Sequence, residues 1–123
     1  MALEIRVIPG EFSVCQVKEL ACDVLAAPFC FVGKTDEELS LVCPIDAVPE
    51  KTLLRDDGWR MFGIVGTLDF SLIGVLANIS CALADAGVGL FAVSTYNTDY
   101  ILVKKENLPR ALEALRAAGY EIS

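Results

Sequence analysis

The stretch GWRMFGIVGTLDFSLIGVLANISCALADAGVGLFAVSTYNTDYILV, residues Gly58 to Val103, decides the fold. It opens on Trp59 to Val65, an apolar run of strand length, and leaves that run through the turn Gly66-Thr67-Leu68-Asp69-Phe70. A helix is expected next. Ser71 can cap it with its hydroxyl, and Leu72, Val75, Leu76, Ile79, Ala82 and Leu83 recur at helical spacing until Gly87 supplies the left-handed terminating position. Val88 to Ser94 and Tyr100 to Val103 then read as two strands of a hairpin whose tip is the polar loop Thr95-Tyr96-Asn97-Thr98-Asp99.

Toward the C-terminus, Asn107 is placed to cap a second helix, with Pro109 tolerated in its first turn. Leu108, Ala111, Leu112 and Leu115 share one face of that helix, Gly119 ends it, and Tyr120 to Ile122 can add a last strand. Each helix closes on Ala-Gly, at Ala86-Gly87 and Ala118-Gly119. The order strand, helix, strand, strand, helix, strand predicts an α+β fold of ferredoxin-like βαββαβ type, an antiparallel sheet with both helices on one face.

Toward the N-terminus the signals are weaker. Leu3 to Ile8 alternates apolar with charged residues before Pro9-Gly10 breaks the pattern, and a second extended piece is expected at Phe12 to Val17. Residues Lys18 to Pro28 stay open between a short helix and a loop. Phe29 to Val32 and Leu39 to Cys43 flank the charged tip Gly33 to Glu38 and read as a hairpin, after which Pro44 to Pro49 can form one helical turn. Lys51 to Asp57 has the composition of a connector, which sets the expected domains at 1-57 and 58-123. The first half offers strands in a compatible order, so a degenerate copy of the same unit is expected there, although no residue-level repeat establishes it.

Composition narrows the function. The chain has 123 residues, 54% of them hydrophobic, with 17 acids against 10 bases. No stretch gathers Lys and Arg into the basic stripe that a phosphate backbone requires, so nucleic acid is not an expected partner. The uncharged run Phe70 to Ala84 is shorter than the ~20 apolar residues that span a bilayer, and Met1 to Pro9 has Glu4 and Arg6 where a signal peptide has an apolar core. No membrane partner and a cytoplasmic location are expected. Five cysteines without a C-x-x-C pair, in a chain with no histidine, suit buried free thiols better than a metal site. The missing histidine also removes the usual general base, which weighs against an enzyme; no cofactor is expected. Gly63-x-x-Gly66 before a helix lacks both the G-x-G-x-x-G pattern and a Walker lysine, and is a weak nucleotide signal.

The segments Gly66 to Leu76, Ala84 to Val88 and Phe91 to Tyr100 together resemble an ACT domain. More narrowly they resemble small bacterial ACT proteins related to aspartokinase regulatory domains and to the CASTOR-type arginine sensors, which contain tandem ACT units. The likeness covers 58-123 closely and 1-57 loosely, and the Ser94 to Asp99 hairpin is its most specific part. It implies binding of an amino acid at an interface between ACT units, through the loop after the first strand and a neighbouring strand.

The candidate ligand-binding residues follow from that implication. The start of the Ser71 helix offers free backbone N–H groups and a favourable dipole to a carboxylate, and Gly74, read as lying in its first turn, suggests close approach by a ligand or tight helix-on-sheet packing. Asp69 can hold an ammonium or guanidinium, or simply occupy a turn position. Asp99 belongs to the hairpin loop, where carboxylates are also common for backbone reasons, and Thr95 and Tyr96 can supply a hydroxyl and an aromatic wall or serve as ordinary strand formers. Phe70, Leu72 and Ile73 would shape the pocket or belong to the core. A single sheet leaves edges and one face uncovered, so a homodimer is expected. Two functional expectations stand side by side: a non-enzymatic sensor of a small ligand, and a ligand-free scaffold that binds itself or an enzyme of amino-acid metabolism.

Overall fold

The computed structural model describes residues 3–65 and 74–123. Seven strands occur among them: β1 (Glu4–Gln16), β2 (Phe31–Lys34), β3 (Leu39–Pro44), β4 (Leu54–Ile64), β5 (Phe91–Ser94), β6 (Asp99–Lys104) and β7 (Glu121–Ile122). Two α-helices, α1 (Val75–Asp85) and α2 (Leu108–Ala117), and 3-10 turns at Cys22–Ala26, Ile45–Ala47 and Lys105–Asn107 complete the described elements. The chain divides into two compact units, one of Met1–Pro9 with Arg60–Ser123 and one of Gly10–Trp59. The division therefore falls inside β1 and β4, where a connector at Lys51 to Asp57 was expected.

In the unit built on the C-terminal half, strands neighbour one another in the order β5-β6-β4-β1-β7. β5 and β6 form an antiparallel hairpin with Ser94 opposite Asp99 and Phe91 opposite Leu102. The short β7 runs parallel to the start of β1, with Glu4 opposite Glu121. The N-terminal strand thus stands beside β4, in the place expected for the last strand, and the Val65 N–H donates to the Glu4 carbonyl at 2.9 Å. The physical reason is in the alternation of Leu3 to Ile8: Ile5 points into the same core as Phe62 and Ile64 of β4, and β7 is too short to cover that row alone.

That core is a single apolar layer between sheet and helices. Ile5, Phe62, Ile64, Ile101 and Val103 come from the strands, Ile79 and Leu83 from α1, and Leu108, Ala111 and Leu115 from α2. Both helices end in the same hydrogen-bonded motif. The N–H groups of Gly87 and Val88 donate to Ala84 and Leu83, and those of Gly119 and Tyr120 to Arg116 and Leu115, all at 2.9–3.0 Å. The Ala-Gly pairs are therefore helix stops, as expected. Asn107 precedes α2 without a side-chain cap bond, because its Oδ1 accepts instead from the Arg110 guanidinium at 2.9 Å.

The second unit has the strand order β2-β3-β1-β4. β1 pairs antiparallel with β3, Ser13 opposite Cys43, and β3 pairs antiparallel with β2, Val32 opposite Leu41. β1 passes through Pro9-Gly10 without ending, with Gly10 at φ +97°, so the expected break is a local irregularity within one strand. The open segment Lys18 to Pro28 contains only the 3-10 turn Cys22–Ala26, and the helical turn expected after Pro44 is the one at Ile45–Ala47. Phe29 sits at φ +58°, which delays the start of β2 to Phe31.

Fewer apolar residues are buried in this unit: Cys15, Val17, Val24, Leu41 and Cys43 pack in one cluster, and Phe12 and Val42 are buried beside them in sequence. Burial pushes the Cys43 thiol from 9.0 up to about 12, with Cys15 and Cys30 adding to the rise. Ser13, fully buried, donates to Asp57 Oδ1 at 2.7 Å, and Asp57 also accepts from Arg55 Nε at 3.1 Å.

Candidate functional site

On a strand, neighbouring side chains point to opposite faces. In the C-terminal unit Ile5, Phe62, Ile64, Ile101 and Val103 take the helix-covered face, so Arg6, Gly63, Val65 and Tyr100 take the other. Gly63 has no side chain, and the Tyr100 ring lies over it. A Cβ added at Gly63 would meet Tyr100 Cε1 at 2.8 Å and Cδ1 at 2.9 Å, closer than real carbon atoms approach. The Gly63 to Gly66 pattern is thus explained at its first position by ring packing.

A cavity of about 240 Å³ opens at this point, lined by Arg6, Gly63, Ile64, Val65, Asn97, Thr98 and Tyr100. One edge is held by Thr98. Its hydroxyl donates to the Ile64 carbonyl at 3.0 Å, which ties the tip of the β5–β6 hairpin to the end of β4. Arg6 and Asn97 are exposed, and among the described residues neither has a hydrogen-bond or ion-pair partner. The cavity therefore offers one guanidinium and one amide beside an aromatic wall, and no carboxylate among its described lining residues.

The residues expected at the site fall differently. Asp69, Phe70, Ser71, Leu72 and Ile73 lie outside the described residues. Gly74 is not in the first turn of the helix: it is the residue preceding α1, in the left-handed conformation at φ +82°, ψ +7°. Among the described residues a Cβ there would meet nothing within 4 Å, and the left-handed backbone angle by itself accounts for the glycine. Since α1 begins at Val75, the cap expected from Ser71 belongs to Gly74, which makes no side-chain bond.

The hairpin residues Thr95, Tyr96 and Asp99 sit at the right tip but do not line the cavity. Thr95 closes the turn, its N–H donating to the Thr98 carbonyl at 2.9 Å and its hydroxyl to the same oxygen at 3.0 Å. Asp99 accepts from the Ser94 hydroxyl at 2.5 Å, a cross-strand bond. Tyr96 is 81% exposed. Asn97, Thr98 and Tyr100 occupy the cavity side instead. The period of two in β6 could have separated Tyr100 from Asp99; nothing local in the sequence marks Arg6, fifty-seven positions before Gly63.

A second hollow, about 660 Å³, lies in the N-terminal unit at its own hairpin tip, with Lys18, Lys34, Glu37, Glu38, Val32 and Leu53 in its lining. It carries charges of both signs. Among the described residues no helix is long and apolar enough to cross a membrane.

The α+β sheet with two helices on one face has the ferredoxin-like architecture, and its small cavity lies between the end of β4 and the tip of the β5–β6 hairpin. The ACT-domain family model matches residues 54–117, more than half of the chain, and the chain belongs to that family. A protein of Agobacterium tumefaciens, 26% identical, superimposes with a TM-score of 0.90 over 100% of this chain and 93% of its own. A Vibrio cholerae protein described as a possible transport protein does so at 0.74 with 21% identity, over 94% and 89% of the two chains. The regulatory subunit of aspartate kinase from Thermus thermophilus, in its ligand-free form, gives 0.68 with 12% identity over 97% and 99%. These last two likenesses are of fold. The expected ACT resemblance and α+β fold are both observed, and the fold is that of aspartokinase regulatory domains.

Proposed function

We propose that this protein is a regulatory ACT module that binds a free amino acid in the cavity of its C-terminal unit, without catalysing a reaction. The observation that carries the reading is the cavity itself. It has two hydrogen-bonding groups without a partner among the described residues, Arg6 and Asn97, where the end of β4 meets the hairpin tip. At about 240 Å³ it is smaller than the ~300–1,000 Å³ of pockets for drug-sized ligands, which suits one small metabolite. Occupancy would act by favouring one packing of the module over another, and the signal can be no larger than the ligand's difference in affinity for the two.

A homodimer belongs to this reading, since the loop after the first strand would meet its counterpart's unit across an ACT–ACT interface. The 1-57 half, with β1, β2 and β3, is read as the degenerate ACT-like partner of 58-123. Five free cysteines suit a reducing, cytoplasmic compartment. Titration calorimetry and thermal shift against the twenty amino acids test the sensor reading. A saturable heat with a matching rise in melting temperature is the expected result; no heat and no shift for any of them sinks it.

The scaffold reading draws on a different observation. Leu53 and Leu54 are 60% and 67% exposed in the N-terminal unit, an apolar pair without cover. If it holds, an enzyme of amino-acid metabolism co-purifies with the protein and Leu54→Asp releases it, while no amino acid changes the melting temperature.

A further inference from the structure

We infer that Arg6 reads the carboxylate of the bound ligand and that the cavity selects acidic amino acids over basic ones. The inference rests on the sensor reading above and deepens it by naming the ligand class.

Arg6 is the one formally charged residue among the described lining of the cavity. It projects from β1 on the face opposite the buried Ile5, and no carboxylate among the described residues pairs with it. Glu4, the neighbouring side chain along that face, does not line the cavity. A guanidinium is a planar fork whose donors match a carboxylate two at a time, so an unpaired one at a cavity mouth is matched by an anion. The remaining polar groups are neutral. Asn97 offers a donor and an acceptor, and the Thr98 hydroxyl has already given its proton to the Ile64 carbonyl.

Charge decides the selectivity. An acidic amino acid brings a second carboxylate into the field of Arg6, whereas lysine or arginine brings a second cation against it with no described acid in the lining to receive it. The chain as a whole is acidic, at −7, but charges farther off than the ~8 Å Debye length at physiological salt are largely screened, so among the described lining residues the Arg6 guanidinium sets the local sign. Gly63 and Tyr100 contribute shape: the ring lies over the glycine and forms a flat wall of the cavity that Arg6 also lines.

The test is calorimetric titration of the full chain with L-aspartate, L-glutamate, L-leucine, L-lysine and L-arginine, on the native protein and on Arg6→Gln and Arg6→Lys. Native protein is expected to bind aspartate or glutamate about tenfold or more tightly than lysine or arginine, as a charge-assisted hydrogen bond would give. Arg6→Gln should lose that preference, Arg6→Lys should retain part of it, and rising salt should weaken the acids selectively. Because Arg6 is exposed and has no partner among the described residues, both variants should melt with the native protein, which separates lost binding from lost folding. Tight binding of lysine or arginine, or an acid affinity unchanged in Arg6→Gln, overturns the inference while leaving the sensor reading standing. Failure of the native protein to bind any of the five and the remaining amino acids overturns both.

Discussion

The two units of this chain share a plan and differ in what covers it. Between Phe31 and Ala47 and between Phe91 and Asn107 the elements coincide at a spacing of sixty residues: β2 with β5, β3 with β6, and the 3-10 turn Ile45–Ala47 with Lys105–Asn107. Phe31 corresponds to Phe91, Thr35 to Thr95 and Pro49 to Pro109. Both tips close in the same way, with the threonine N–H donating at 2.9 Å to the carbonyl three residues on, Glu38 in one case and Thr98 in the other. The helices do not repeat. Residues 17–30 hold one 3-10 turn where 65–90 hold α1, and no helix of the N-terminal unit corresponds to α2.

The difference separates two kinds of information. Hairpin geometry comes from alternation and a threonine-closed tip, which need only a few residues, while a two-helix layer needs long apolar faces to bury. The C-terminal unit has those faces and, among the described residues, fourteen buried apolar residues; the N-terminal unit has seven, and ties β1 to β4 with Ser13 and Asp57. Charge follows the same division. Unit Gly10–Trp59 has ten acids and four bases, the other seven and six, so the more open unit is also the more acidic.

The largest expected effect strikes the better-covered core. Phe62→Ala should destabilise the protein by about 3–5 kcal/mol, against roughly 2 kcal/mol for Val24→Ala beneath the N-terminal turn, both read by urea denaturation. Equal losses would mean that the two cores are equally well packed and would remove the contrast. Gly63→Ala should cost about 1–3 kcal/mol by displacing the Tyr100 ring, and should abolish amino-acid stabilisation in a thermal shift. A variant that melts normally and still responds to ligand would mean that the ring wall is dispensable.

Smaller effects sharpen the comparison at the hydrogen bonds peculiar to each unit. Thr98→Val leaves the Ile64 carbonyl without its side-chain partner, and Ser13→Ala removes the buried hydroxyl that donates to Asp57; each should lower unfolding free energy by about 1–2 kcal/mol. Only Thr98→Val should also weaken ligand binding. The smallest effect concerns pH. The Cys43 thiol ionises near 9.0 in the unfolded chain and near 12 in the folded one, so its contribution is fully present below pH 9 and is lost as pH rises toward 12. Between pH 8 and 10.5 the native protein should lose more stability than Cys43→Ala does; parallel curves would show that burial does not hold this thiol neutral.

Local signals were enough for much of the architecture. Ala-Gly at 86–87 and 118–119, the hairpin at Ser94 to Asp99 and its counterpart at Lys34 to Leu39 are short-range features, each satisfied by bonds within a few residues. The sixty-residue repeat was present too, but it is carried by a few spaced matches such as Phe31/Phe91 and Thr35/Thr95, too sparse to stand out before the elements are aligned. Part of the candidate site was legible in the same sense: the hairpin tip was singled out, although Thr95 and Asp99 spend their side chains on the turn itself.

What the amino-acid order determined by itself was the alternation of strands, the two helices with their stops, and the hairpin chemistry, because each depends on neighbours along the chain. Tertiary structure alone decided that Leu3 to Ile8 joins the far half of the molecule, that Tyr100 rests on Gly63, and that Arg6 lines the same cavity as the hairpin tip. Those placements depend on which apolar rows bury together across long sequence separations, and no local pattern records which strand will lie beside which.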